Sequence, residues 1–100
     1  MTCAFHPEAR LEYREAAAFY EKRQSGLGAA FTVEVEATLQ NVLNEPERFR
    51  KLDRDVHTCR AHTFPYAILY TIEEGFILII AVMHLRRKPG YWQHRLSEHQ

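Results

Sequence analysis

The chain has 100 residues, 46% of them hydrophobic and 26% charged, with four Gly and four Pro; this predicts one folded domain over residues 1–100 and excludes a low-complexity chain or a second core. A domain this small gains stability from any partner that covers apolar surface. The formal net charge is zero, but Met1 to Glu47 holds eight Glu against four basic residues, while Arg48 onward holds nine Lys/Arg against five acids. An anionic partner would land on the second half; the plainer reading is an ordinary mixed-charge surface. Two cysteines, Cys3 and Cys59, are too few for a disulfide framework and read as reduced, buried or half-buried thiols. No basic stretch precedes an apolar run near Met1, and the longest such run, Phe76 to Met83, falls well short of the roughly twenty residues of a membrane span. A cytoplasmic protein with no membrane contact is the expectation.

Thr2 to Phe5 is a short candidate strand, stopped by His6-Pro7. Glu8 to about Arg23 reads as a helix, with Leu11, Ala16, Phe19 and Tyr20 on its apolar stripe and Glu8, Glu12 and Glu15 in water. Gly26 ends it. From about Gly28 to Asn44, Phe31, Val35, Leu39, Val42 and Leu43 recur at helical steps, and Pro46 closes the segment. The short link between the two helices predicts an antiparallel hairpin.

Glu47 to Asp55 is a charged connector whose Phe49 and Leu52 tuck beneath the hairpin. The period then turns extended: Val56 to His62 alternates loosely, Phe64-Pro65 makes a corner, and Tyr66, Ile68, Tyr70 and Ile72 share one face of a strand. After the turn Glu73-Glu74-Gly75, Phe76 to Met83 is apolar on both faces, as in a covered central strand. Leu85 to Gln100 is a basic and aromatic tail with a turn at Pro89-Gly90 and a short helix beyond. The predicted fold is α+β, in the order β-α-α-β-β-β, with the helical hairpin packed on a small antiparallel sheet.

Four stretches in this order resemble toxins of the RelE/ParE superfamily. They are His6-Pro7-Glu8-Ala9 with Ala17-Ala18-Phe19-Tyr20; Leu27-Gly28 leading through Phe31, Glu34, Val35 and Glu36 to Pro46; Phe64-Pro65-Tyr66-Ala67-Ile68-Leu69-Tyr70; and Ala81-Val82-Met83-His84-Leu85-Arg86-Arg87-Lys88-Pro89-Gly90-Tyr91-Trp92. Together they cover nearly the whole chain. The resemblance implies the toxin of a type II toxin–antitoxin (plasmid stabilization) module, held in a hetero-oligomer with a cognate antitoxin. It also implies two activities, between which fold does not choose. ParE-like members bind DNA gyrase; RelE-like members cleave messenger RNA on the ribosome without a metal. A toxin-like domain without activity is the third reading.

Cleavage of RNA by its own 2′-hydroxyl needs a base, an acid and cations around the phosphate. The candidates are His84, whose residue type exchanges protons near neutrality, Arg60, Arg86 and Arg87, which can fork onto phosphate, and Tyr91, which falls where RelE-like toxins carry a functional tyrosine. Tyr91 or Trp92 can also stack on an unpaired base. Each has a plainer role: His84 as a cap at the end of the sheet, Arg86-Arg87-Lys88 as a solvated turn, Tyr91 and Trp92 as aromatics closing the core, and Tyr66 and Tyr70 as packing. RelE-like enzymes place an arginine where this chain has Ala67, which favours gyrase binding. His57, His62, His84, His94 and His99 show no zinc-like spacing with cysteine, and no glycine-rich phosphate loop occurs, so neither metal nor cofactor is expected.

Overall fold

A computed structural model describes residues 1–98; His99, named above among the histidines, lies outside them. The elements are β1 (Thr2–Phe5), α1 (Pro7–Arg23), α2 (Leu27–Asn44), β2 (Lys51–Asp53), β3 (Val56–Arg60), β4 (Tyr66–Glu73), β5 (Phe76–His84) and α3 (His94–Glu98). The expected order therefore gains a strand. The charged connector contributes β2, which the sequence conceals because its three side chains are all exposed and carry no alternation.

The helical hairpin forms where the sequence puts it. His6 caps α1 by accepting the Glu8 N–H on Nδ1 at 3.0 Å, with Pro7 following as first helical residue. Between the helices Gly26 takes φ +89°, a left-handed conformation that suits glycine. The helices cross tightly at Gly28, where an added Cβ would lie 2.6 Å from the Ala17 carbonyl oxygen. Glu21 fastens this crossing by accepting the N–H groups of Gly26 and Gly28, each at 3.0 Å.

The five strands make one sheet in the order β1-β5-β4-β3-β2. All neighbours are antiparallel except β1 and β5, which run parallel with Thr2 opposite Phe76 and Phe5 opposite Ile79. The hairpin lies on one face, where Phe31, Val35, Leu39 and Val42 meet Cys59, Ile68, Tyr70, Ile77, Ile79 and Val82. Phe31 is the centre of an aromatic cluster, with Tyr13, Tyr20, Phe64 and Tyr66 ring centroids 4.9–6.2 Å away. On the opposite face Val56, Ala67, Leu69, Leu78, Ile80 and Ala81 pack with Trp92. The run Phe76 to Met83 is covered on both sides, as its composition predicts.

The register between β4 and β5 slips once. Leu69 faces Ala81 and Tyr70 faces Ile79, so Ile80 is an extra residue in β5. Ile80 and Ala81 consequently point to the same face, and every later side chain of β5 is inverted relative to simple alternation. No described helix is long and apolar enough to cross a membrane.

Candidate functional site

The candidate residues gather around the end of β5 and the segment after it. His84 ends β5 opposite Tyr66, with the two rings edge to face at 5.1 Å. Its Nδ1 accepts the Arg86 N–H at 3.0 Å, which fixes the ring at the start of the turn. Because of the register slip His84 lies on the hairpin side. There it lines a depression of about 340 Å³ with Glu12, Glu15, Phe19, Tyr66 and Arg87. Phe19 keeps 53% of its surface exposed, with the Arg23 guanidinium 5.5 Å from its ring centre.

Arg60 is elsewhere. It pairs with Ala67, whose side chain belongs to the opposite face, and it lines a separate depression with Arg50, Leu52, Thr58, Met83 and Leu85. Arg86 and Arg87 are exposed in the turn. The structure thus brings together His84, Arg87 and Tyr66, and sets Arg60 across the sheet from them.

Tyr91 is held fast. Two guanidinium groups lie over its ring, Arg87 at 4.0 Å and Arg95 at 5.0 Å from the ring centre. Its hydroxyl donates to Glu12 Oε2 at 2.5 Å, and burial, then this bond to a carboxylate, pushes the phenol well above its ordinary value. Trp92 is buried against the sheet, so it does not present a stacking surface as the sequence allowed.

The sequence reading missed the two residues that organise this region. Glu12, expected in water, has a side chain only 15% exposed, and Arg95 is buried. Glu12 Oε1 accepts the Val82 N–H at 3.0 Å and Arg95 Nη1 at 2.9 Å, while Oε2 accepts Arg95 Nη2 at 3.1 Å. Arg95 Nη1 also donates to the Ile80 carbonyl at 2.9 Å. These contacts satisfy the edge of β5 beyond the point where β1 ends, a place that would otherwise hold bare backbone groups. Arg95 Nε makes no hydrogen bond among the described residues, but sits 3.7 Å from Glu8 Oε1. Burial acts against the Arg95 charge, yet the bonds and charge of Glu12 outweigh it and its pKa rises. His94 Nε2 lies 3.0 Å from Glu8 Oε2, and this bond holds the Glu8 carboxyl below its usual range. No cluster of three metal-ligating side chains occurs among the described residues.

A strand–hairpin–sheet order with a cationic turn at the end of the central strand is the arrangement the resemblance predicts. A family model described as the ParE toxin of the type II toxin–antitoxin system parDE matches residues 4–89. The chain belongs to this family. ParE toxins are a type II toxin family within the RelE/ParE superfamily, so the chain is a toxin-family protein and membership implies an antitoxin partner. A comparison with curated proteins finds no match. The ParE match runs from the second half of β1 through β5 and most of the cationic turn, and it stops before the Tyr91–Arg95 segment that Glu12 ties down.

Proposed function

We propose that this single-domain chain is the growth-inhibiting toxin of a type II pair, that it acts in the cytoplasm by binding DNA gyrase, and that a cognate antitoxin neutralises it. The observation that carries the choice of gyrase over messenger RNA is the division of the candidate groups by the sheet. Arg60 is on one face, His84 and Arg87 are on the other, and the Tyr91 hydroxyl is taken by Glu12. An acid, a base and a phosphate clamp must converge within hydrogen-bond reach of one scissile bond. These do not. What remains at the tip suits protein recognition, which is dominated by aromatic and arginine anchors: exposed Phe19 and Arg87 beside half-buried Tyr66 and His84.

Purified toxin at micromolar concentration is expected to block supercoiling by gyrase, with transcripts intact in arrested cells. Phe19→Ala and Arg87→Ala should each weaken the block by about tenfold or more. Unaffected supercoiling together with cleaved messenger RNA would transfer the function to the ribosome, and growth arrest should then be relieved by His84→Ala. Unarrested growth on expression without a partner would leave a toxin-like domain without activity.

A further inference from the structure

The face of the sheet turned away from the hairpin is only partly covered. Trp92 and Leu96 pack in its apolar cluster with Leu78 and Ile80, a depression of about 520 Å³ opens beside Leu78, Ile80 and Leu96, and towards the end of β3 another of about 470 Å³ stays open. Its floor is aliphatic, made by Leu52, Ala67, Met83 and Leu85 with the methyl-bearing Thr58. Its cations are Arg50 and Arg60. The Thr58 N–H donates to the Arg50 carbonyl at 2.9 Å, which holds Arg50 beside β3, and Arg60 follows Thr58 by one strand repeat on the same face.

One property separates this depression from the other three described. Each of those is lined by at least one Glu or Asp; among the described residues this one is lined by none. Both its arginines are exposed, and among the described residues neither has an ion pair or a hydrogen-bonded side-chain partner, unlike Arg48 and Arg95. It also sits beside the edge strand β2, whose Leu52 is 40% exposed.

We propose that this depression seats an acidic, aliphatic segment of the antitoxin partner, its carboxylates on Arg50 and Arg60 and its aliphatic side chains on the Leu52–Met83–Leu85 floor. Unpaired cations beside apolar surface match a chain that alternates acids with Leu, Val or Ile. A single-stranded nucleic acid would match the charge but not the floor, which offers no ring on which a base could stack. The inference rests on the antitoxin pairing and is independent of the gyrase target. It has a spatial consequence: the antitoxin segment and the His84–Arg87 depression lie on opposite sides of the sheet.

The test uses the toxin with the small protein encoded beside it. Three toxins are compared by calorimetry: unmodified, Arg60→Glu, and Lys22→Glu, which makes the same charge change on exposed α1 surface. Arg60→Glu is expected to weaken binding by about a hundredfold and to flatten its salt dependence, while Lys22→Glu stays within about threefold. The Arg60→Glu toxin should still arrest growth on expression, no longer relieved by co-expression of the partner. A photo-crosslinking benzoylphenylalanine at Leu52 should yield an adduct to a partner peptide rich in Asp, Glu and aliphatic residues. Equal weakening by both reversals, or a crosslink to a segment without acids, overturns the proposal while leaving the pairing intact. Absence of binding by the unmodified toxin overturns the pairing and the proposal together. Partner binding untouched by Arg60→Glu, with binding of a short oligonucleotide abolished, reassigns the surface to nucleic acid.

Discussion

The two faces of the sheet are closed in different ways. On the hairpin side two helices bury a continuous apolar layer centred on Phe31. On the other side a short segment after β5 lays Trp92 and Leu96 on the sheet, and directed bonds hold it: Tyr91 and Arg95 to Glu12, Arg95 to the Ile80 carbonyl, His94 to Glu8. The first closure scales with area and is tolerant of local change. The second is a small buried network, in which losing one member strands the others.

The contrast sets the order of expected effects. Phe31→Ala should be the most damaging, at about 3–5 kcal/mol in chemical denaturation, because it empties the centre of the aromatic cluster; a cost below about 1 kcal/mol would mean the hairpin face is not close-packed. Glu12→Ala leaves Arg95 buried without its carboxylate, and about 3 kcal/mol is expected. Its signature is local: faster hydrogen exchange at the Val82 amide and proteolysis near Gly90, with the hairpin still protected. Uniform loss of protection would erase the distinction between the two faces.

Tyr91→Phe should cost least, about 1 kcal/mol near neutral pH, for one hydrogen bond. The same variant sharpens the alkaline response. A phenol whose folded pKa is raised contributes stability that is whole below its ordinary pKa near 10 and is lost as pH rises beyond it. Burial raises Tyr70 too, to about 12, so the unmodified protein should destabilise above pH ~10 and Tyr91→Phe should do so less steeply. Glu8 acts in the opposite direction: its folded pKa is depressed, so its share is present above the carboxylate range and lost as pH falls through it.

The helices were readable because Phe31, Val35, Leu39 and Val42 keep strict helical spacing and Pro7, Gly26 and Pro46 punctuate them. The site was less readable, and a single residue explains much of it. Phe76 to Met83 is apolar on both faces, so the extra residue at Ile80 leaves no trace in the pattern. Without that slip the alternation from Ile79 would put His84 on the face of Arg60, and the two would stand as one cluster. With it, the sheet divides them. Glu12 was misread for another reason: its position on α1 looks polar and wet, and its partner Arg95 is 83 residues away. Strand β2 was hidden because Lys51 and Asp53 leave only Leu52 as an apolar signal, so pairing with β3 and not side-chain pattern makes it a strand.

The parallel pairing of β1 with β5 also orders events in time. As the polypeptide leaves the ribosome, the helical hairpin can assemble from neighbouring residues, but Thr2–Phe5 has no strand to pair with until Phe76–Ile79 emerges. The carboxylate of Glu12 waits longer still, for Arg95. A nascent chain therefore carries an unfinished sheet until Phe76–Ile79 has emerged, and the tip that would meet a target takes its shape only once Arg95 has followed.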